Sequence, residues 1–384
     1  MFDIDQTRHL KSPTILLLTG ESSGDAWGAD LASELRNKWP DLSLLGTGGP
    51  LMERQGVELI ERIERLSVMG LSSVLKKIPL LMVLRRKIGH MLVRDQIDLV
   101  IAIDFAGFNM SIIRLAHRRK IKVLYYVAPK VWAWGSSRSK ILAKNTDHIA
   151  VILPFEKEFF KNRGIEVSFV GHPLLDQTLL PSMPKTEFCQ KWNLDPQQPI
   201  LALFPGSRRQ EINRHLDLFV ETGYRIKELY PQIQLVIARA PSIASASIHT
   251  EGFEVVDDGR GLLAHSRVAL LKSGTVTLEA CLSGTPFVTA YKTDPLTFFV
   301  AKRVVKVKSI SIPNLVAGKK QVPEMLQGEA TPENLLMKLI PLLKTENREY
   351  QDMLDYFTLV RSKLGSPGVA RRVADIVDSL IAET

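Results

Sequence analysis

The sequence predicts an α/β protein made of two doubly wound domains, each built around a parallel sheet. Apolar runs of strand length alternate with longer amphipathic stretches of helical period, the pattern of buried parallel strands separated by helices. A length of 384 residues is enough for two domains of ordinary size. The strand-like runs are residues 14–19, 98–103, 121–127, 149–153, 200–204, 234–238, 268–271 and 286–290.

A proline-rich stretch separates the two predicted domains. Five prolines fall between residues 171 and 200, and a new strand-like run begins directly after them. Because proline interrupts helices and strands, we expect residues 1–172 to form the first domain and residues 173–345 the second. Ligands of doubly wound sheets bind at the carboxyl ends of the strands, so two such domains facing each other would enclose a cleft.

The composition favours an anionic partner. Lys and Arg number 50 against 41 Asp and Glu, a formal net charge of +9, which suits nucleic acid, a phosphorylated metabolite or a membrane surface. No nucleic-acid module is recognisable and the His and Cys residues lack metal-ligand spacing, so neither nucleic acid nor a metal is expected. The sequence predicts a cytoplasmic location. It has only two cysteines, its N-terminal residues lack the apolar core of a signal peptide, and its apolar runs are much shorter than the ~20 residues of a membrane span.

Two motifs of the first half follow predicted strands. GESSGD at 20–25 leads from the first strand into a helix, whose free amides can bind a ligand. The motif differs from the dinucleotide-binding fingerprint, and its acidic residues would repel a pyrophosphate. A sugar hydroxyl is therefore the favoured ligand. Asp104 ends another strand, where a carboxylate can have a raised pKa and accept a proton. The alternatives are a helix cap in the first motif and an Asx-turn at Asp104. The candidate ligand-binding residues of the first motif are Glu21, Ser22, Ser23 and Asp25.

Two tryptophans lie close together after the strand-like run 121–127. Trp132 and Trp134 stand beside a proline in the sequence APKVWAW. They could form an aromatic wall for a sugar or an acyl group, and core packing beneath the loop is equally compatible with the sequence.

Two motifs of the second half have the character of a nucleotide-diphosphate site. In each, a strand runs into small residues and then a helix, which offers amides and hydroxyls to phosphate oxygens. An arginine adds a cation that can bind two oxygens at once, and a glutamate could accept hydrogen bonds from ribose hydroxyls. Ordinary helix caps are the alternative. The candidate residues are Gly206, Ser207, Arg208, Ser273, Gly274, Thr275 and Glu279.

A basic amphipathic segment extends from residue 66 to residue 94. A helix after Pro79 would gather apolar side chains on one arc with cations beside it, which suits an anionic bilayer surface. A buried helix with a solvated basic edge is the alternative. The candidate membrane residues are Leu80, Leu81, Leu84, Arg85, Arg86 and Lys87.

Taken in order, the motifs resemble those of the lipid-A-disaccharide synthase family. The matching segments are GESSGD (20–25), VMG (68–70), VWAW (131–134), LPFE (153–156), GHP (171–173), PGSR (205–208), SGTVTLEA (273–280), PLTF (295–298), PNL (313–315) and VPEMLQ (322–327). They extend over most of the chain, and the ordered set is highly specific.

The resemblance implies a GT-B architecture, in which helices from about 346–384 pack back on the first domain. It implies that UDP-2,3-diacylglucosamine donates its sugar, with inversion, to 2,3-diacylglucosamine 1-phosphate at the inner-membrane surface, without metal or cofactor. The PNL match places Asn314 near the UDP, and Asp104 corresponds to the general base. The family usually has a second aspartate where this chain has Gly107, so a charge that orients or tunes Asp104 is missing here.

Two other functions are compatible with parts of the pattern. Another GT-B enzyme, such as the peptidoglycan N-acetylglucosaminyltransferase or a UDP-N-acetylglucosamine 2-epimerase, would share the nucleotide half but should lack GESSGD and VWAW. A non-catalytic binder of acylated sugar nucleotides would tolerate the loss of Asp104.

Overall fold

The structure is a computed structural model that describes residues 12–66, 71–132, 136–177, 183–240, 250–294 and 309–382, with the separate positions 181, 243, 248, 298, 299 and 303. Its helices are α1 Ser22–Lys38, α2 Pro50–Arg54, α3 Ile63–Leu66, α4 Leu71–Arg94, α5 Ala106–Arg118, α6 Ser136–Asn145, α7 Pro154–Lys161, α8 Lys185–Lys191, α9 Arg209–Leu229, α10 Gly259–His265, α11 Val276–Ser283, α12 Ile312–Ala317, α13 Pro332–Leu343, α14 Arg348–Lys363 and α15 Val369–Ala382.

The strands occupy the runs predicted from the sequence and five further segments. They are β1 Thr14–Leu18, β2 Ser43–Gly48, β3 Glu58–Arg62, β4 Leu99–Ile103, β5 Lys122–Tyr126, β6 His148–Val151, β7 Val167–Phe169, β8 Ile200–Phe204, β9 Gln234–Ala238, β10 Glu254–Val256, β11 Val268–Lys272, β12 Phe287–Tyr291 and β13 Glu324–Leu326. Those without a predicted run are β2, β3, β7, β10 and β13.

The chain divides into two compact units. The first holds Met1–Asp176 and Ser366–Thr384, and the second holds Gln177–Gly365. Only residues from Ser366 onward return to the first unit, whereas the resemblance implied a return from about residue 346. Helix α14 stays in the second unit because its apolar face covers that core, where Phe357 stacks on Phe287 with ring centroids 5.7 Å apart.

The returning segment is tied to the place where the chain leaves the first unit. The Asp176 carboxylate accepts hydrogen bonds from the backbone amides of Gly368 (2.6 Å) and Ala370 (3.1 Å). Arg372 on α15 donates to the carbonyl oxygen of Val170 at 2.9 Å. The segment that leaves the first unit and the segment that returns to it are therefore hydrogen-bonded to each other within that unit.

The first unit contains a seven-stranded parallel sheet in the order β3-β2-β1-β4-β5-β6-β7. Its central strands are buried on both faces, which explains why they are uninterrupted apolar runs in the sequence. Helix α1 buries Trp27, Leu31 and Leu35, the four-residue spacing expected of one helical face. The strand order reverses between β1 and β4, which makes their carboxyl ends the switch point of the sheet.

The second unit contains a six-stranded parallel sheet in the order β10-β9-β8-β11-β12-β13. Its order reverses between β8 and β11. Each unit is thus a doubly wound α/β layer structure, as the sequence predicted, and each has its own switch point.

The apolar arc of α4 belongs to the core of the first unit. Leu84, Ile88 and Leu92 are buried in this core, and Leu80 and Leu81 pack against it. This corrects the assignment of Leu84 to a membrane surface, because its side chain is removed from water within the unit, and Leu80 and Leu81 are directed to the same core although they are only partly buried. None of the helices in the described ranges is long and apolar enough to cross a membrane.

Candidate active site

The switch point of the first unit joins the two motifs that follow β1 and β4. The ring of Phe105 lies so close to Gly20 that a Cβ there would be 2.5 Å from ring carbons, so only glycine fits. The Asn109 amide donates to the carbonyl oxygens of Leu18 (3.1 Å) and Asp104 (2.9 Å). The ends of both strands are therefore fixed against each other.

Asp104 and Phe105 both have left-handed backbone conformations, with φ of 47° and 46°. Such conformations cost about 1–3 kcal/mol each in residues other than glycine and persist only where the surroundings hold them. The Tyr125 hydroxyl donates to the Asp104 carbonyl oxygen at 2.7 Å and supplements the Asn109 bond. The cap position of α5 is occupied by Phe105, without a side-chain cap bond, so Asp104 is not the cap of that helix. Its side chain is half-buried at the strand end.

The first motif divides into residues at the helix start and one buried acid. Glu21 occupies the cap position of α1, and Ser22 and Ser23 form its first turn at least partly exposed. Asp25 is instead buried. Glu21, Ser22 and Ser23 thus lie at the carboxyl end of β1, and their contact with a ligand stays a prediction.

Asp25 has a structural role that the sequence did not indicate. Its carboxylate accepts hydrogen bonds from the amides of Gly49 (2.7 Å), Leu51 (3.1 Å) and Met52 (3.1 Å), at the start of α2. The predicted cap thus exists, but it serves a different helix from the one that carries Asp25. With three backbone donors on a buried carboxylate, we reassign Asp25 from ligand contact to the support of α2.

Trp132 is held by a buried glutamate. Its indole Nε1 donates to Glu156 Oε1 at 2.8 Å, and its ring meets Phe155 edge-on at 4.8 Å between centroids. The other carboxylate oxygen of Glu156 accepts from the Leu153 amide at 3.1 Å, in the capping box of α7. The ring is therefore half-buried and held in a fixed orientation, as the packing alternative predicts, and its role as a wall for a sugar or an acyl group stays a prediction. Trp134 lies outside the described residues.

Burial controls the ionisation of Glu156. It raises the pKa of the carboxyl to about 7, although the bonds from Trp132 and Leu153 and the charge of Lys130 act in the opposite direction. The sequence analysis did not predict Glu156 as a site residue, because the other residues of the LPFE motif are Leu, Pro and Phe, which do not indicate catalysis or ligand binding.

The switch point of the second unit is organised around Glu211 in the first turn of α9. Gly206 has φ of 142° and lies where a Cβ would be 2.5 Å from the Glu211 Cβ, so the loop needs glycine. The Ser207 amide donates to Glu211 Oε2 at 3.0 Å. Arg208 Nη1 lies 3.6 Å and Lys272 Nζ 2.7 Å from Glu211 Oε1.

The residues after β11 begin helix α11 beside this cluster. The Ser273 hydroxyl donates to the Ile310 carbonyl oxygen at 3.1 Å, and Thr275 occupies the cap position, exposed. Glu279 lies in the first turn, and burial raises its pKa, opposed by the charge of Arg260. The predicted donor residues therefore follow two adjacent strands of one sheet, β8 and β11. They are Gly206, Ser207, Arg208, Ser273, Gly274, Thr275 and Glu279.

Asn314 is part of a buried network rather than an open site. Its Oδ1 accepts from the amides of Gln321 and Val322 and from the Tyr356 hydroxyl, at 2.8–3.1 Å. Its amide nitrogen donates to the Val322 carbonyl oxygen and to Glu324 Oε1, both at 2.9 Å. All of its hydrogen-bonding capacity is used inside the unit. We therefore reassign Asn314 from donor contact to the support of α12.

Two doubly wound parallel-sheet units, each with its motifs at a switch point, are the architecture of the GT-B class. Solved structures share this fold: a UDP-GlcNAc 2-epimerase from Neisseria meningitidis has a TM-score of 0.67 at 13% identity over 95% of this chain and 100% of that one. The calicheamicin glycosyltransferase CalG4 has a TM-score of 0.61 at 16% identity over 97% and 99%. At these identities the likeness shows the fold alone.

The sequence decides the family. The profile of lipid-A-disaccharide synthetase matches residues 15–366. A lipid-A-disaccharide synthase of Coxiella burnetii is 37% identical over 97% of this chain and 100% of its own length. That of Geobacter metallireducens is 38% identical over 96% and 97%. The chain belongs to the lipid-A-disaccharide synthase family, a family of UDP-sugar-dependent glycosyltransferases, and the resemblance drawn from the motifs is confirmed.

Proposed function

We propose that the chain joins UDP-2,3-diacylglucosamine to 2,3-diacylglucosamine 1-phosphate, giving the β-1,6-linked disaccharide 1-phosphate and UDP. The family match over residues 15–366 carries this proposal. The two switch points support it, because each presents the chemistry that one half of the reaction needs: a carboxylate for the acceptor hydroxyl, and cations with amides for the diphosphate.

In the proposed reaction, Asp104 accepts the proton of the acceptor 6-hydroxyl as that oxygen attacks the anomeric carbon of the donor. The new C–O bond forms on the face opposite the leaving group, so the configuration inverts. The bond from the anomeric carbon to the diphosphate breaks, and its electron pair leaves with UDP. Arg208 and the amides of the 273–275 turn balance the charge that develops there.

The direct test is incubation of the purified protein with both acylated sugars, followed by mass spectrometry for the disaccharide 1-phosphate and assay of UDP. We expect both products in equal amounts, with a β linkage by NMR. UDP-N-acetylglucosamine supplied alone tests the epimerase alternative, and formation of its 2-epimer without any disaccharide would contradict the proposal.

A second arm of the experiment concerns metal. Among the described residues, no group of three or more His, Cys, Asp or Glu is placed to hold a metal ion. We propose that the cations and amides of the donor site suffice, so that activity survives EDTA. Full loss in EDTA that Mg²⁺ restores would contradict this.

We further propose that the outward face of α4 meets the anionic inner-membrane surface, since both substrates carry acyl chains. Opposite the buried arc, Ile78, Met82 and Val83 are 41%, 55% and 63% exposed. Arg85 and Arg86 are exposed beside them. Lys87 is also exposed, and its ammonium donates to the Ile60 carbonyl oxygen at 3.2 Å. An apolar strip beside cations is the pattern of an interfacial helix.

Vesicle sedimentation tests the membrane surface. Basic residues near an anionic leaflet contribute about 1 kcal/mol each, so replacing Arg85 and Arg86 by Ser should weaken binding to anionic vesicles about thirtyfold at low salt. The matched control replaces Lys319 and Lys320, an exposed pair in the second unit, and should bind like the wild type. Equal binding by the α4 variant and the wild type would remove this face from the proposal.

A further inference from the structure

One carboxylate in the second unit is shared by two cations and a backbone amide. Glu211 accepts from Lys272 at 2.7 Å and from the Ser207 amide at 3.0 Å, and Arg208 lies 3.6 Å away. The four residues come from the loop after β8, the start of α9 and the last position of β11. Two chain segments that are distant in sequence therefore converge on one side chain.

The Lys272–Glu211 pair at the centre of the cluster is shielded from water, and the cluster carries excess positive charge. The Lys272 and Glu211 side chains are only 15% and 14% exposed. Burial opposes ionisation of Glu211, but the charge and hydrogen bond of Lys272, the Ser207 amide and the charge of Arg208 together lower its pKa. One anion thus faces two cations, so a net positive charge remains. Arg208 is 37% exposed, whereas Lys272 lies in a shielded environment where its charge acts more strongly than in water.

Lys272 lies beside the turn that begins α11. Its ammonium is 3.8 Å from the position that a Cβ on Gly274 would occupy, so a larger residue at 274 would contact it. On another side, the ammonium lies 5.6 Å from the centroid of the Tyr291 ring. An ammonium has three donors and Glu211 takes one of them, so donors remain for an anion at this turn.

We propose that Lys272 contacts the phosphates of a nucleoside diphosphate together with Arg208, and that Glu211 is a positioning residue which holds both cations. This inference rests on the proposed donor site of the same unit. A carboxylate has no attraction for phosphate, so its presence among the cations is explained by what it orients. Lysine has a flexible stem, and fixing it in advance reduces the entropy lost when the ligand binds.

Calorimetric titration of the full chain with UDP and with uridine tests the role of Lys272. Lys272→Met should lower the affinity for UDP about tenfold to a hundredfold, the range for a hydrogen bond to a charged group. The affinity for uridine should stay within about twofold, because uridine lacks the phosphates. Lys272→Arg should keep most of the UDP affinity, and the exposed Lys320→Met is the matched control.

The uridine titration also reports on folding, since a collapsed site would lose both ligands. Unchanged UDP affinity in Lys272→Met would overturn the inference while leaving the donor site in place. If the wild type itself binds UDP no better than uridine, the proposed donor site is wrong, and the two failures are therefore distinguishable.

The Glu211→Gln variant distinguishes a positioning role of Glu211 from the direct electrostatic effect of its charge on the ligand. The substitution removes a negative charge beside the phosphates, so Coulomb attraction alone predicts tighter UDP binding. If Glu211 positions the cations, UDP binding weakens instead, by about threefold to tenfold, although the net charge has risen. Tighter binding would overturn the positioning role of Glu211.

Discussion

The switch points of the two units share a topology and differ in chemistry. In both sheets the strand order reverses between two central parallel strands, β1 and β4 in one and β8 and β11 in the other. The first switch point presents Asp104 and Glu21, and the second presents Arg208 and Lys272. The topology determines where a ligand binds, and the side chains at the strand ends determine which ligand and which reaction step.

The two sites also achieve their geometry differently. The first holds Asp104 and Phe105 at φ of 47° and 46°, whereas the loop of the second uses Gly206 at φ of 142°. Glycine adopts such conformations without steric cost, but other residues do not. The acidic site therefore depends on hydrogen bonds that hold a strained backbone, and the cationic site depends on the absence of a side chain.

The largest expected effect is on chemistry at the acidic site. Asp104→Asn should lower turnover about 10²–10⁴-fold, the usual value of general-base catalysis, because the amide cannot accept the proton. UDP affinity, which depends on the other unit, should be unchanged by calorimetry. Asp95→Asn, at an exposed position, is the control and should retain full activity. Turnover of Asp104→Asn within about threefold of the wild type would exclude the base role.

The next largest effect is on the free energy of unfolding, through Asn314 in the second unit. Asn314→Ala leaves the Gln321 and Val322 amides without their acceptor, while the Tyr356 hydroxyl keeps the Lys319 carbonyl oxygen at 3.0 Å. We expect a loss of about 4 kcal/mol in the free energy of unfolding, measured with urea. The half-buried Asn334→Ala should cost less than about 1 kcal/mol.

A UDP titration of the folded Asn314→Ala protein then distinguishes support from contact. Because all the bonds of Asn314 are internal, UDP affinity should stay within about threefold of the wild type. A larger loss, with the protein still folded, would return Asn314 to the donor site and weaken the contrast between the two units.

A smaller effect is a pH dependence that belongs to the first unit. The pKa of Glu156 is raised to about 7 in the folded protein from an ordinary 4.5, so its contribution to stability is fully present below 4.5 and is lost as the pH rises through 7. Glu156→Gln removes this titration and should change the difference in unfolding free energy between pH 5 and pH 8 by up to about 3 kcal/mol. Parallel pH curves for the two proteins would show that Glu156 does not titrate in this window.

The smallest effect comes from adding a charge to the acidic site. Gly107 is exposed in the first turn of α5, and a Cβ there meets no atom within 4 Å. Gly107→Asp should stabilise the protein by about 1 kcal/mol, because it replaces a glycine in a helix and places a negative charge near the helix start. The new carboxylate should also raise the pKa of Asp104 and move the pH–rate profile upward. Gly107→Asn, which lacks the charge, should leave the profile in place.

Long apolar runs were read correctly from the sequence, and short edge strands were not. β7, β10 and β13 are three residues each and lie at sheet edges. β3, also at an edge, has charged residues at positions 58, 61 and 62. Such segments expose one face or one side to water, so they lack the continuous apolar signal of β4 or β8.

By itself the sequence determined the fold class, the family and the position of the motifs at the ends of strands, because burial imposes apolar runs and ligand loops require small residues. Only the tertiary structure decided which polar side chains remain available. Asp25 and Asn314 sit in ligand-like motifs, yet their atoms are taken by amides that the fold brings from elsewhere. Glu211 and Lys272 are 61 residues apart and meet through strand pairing. Hydrogen-bond partners at long range have no local signature in the sequence, so their assignment requires the folded chain.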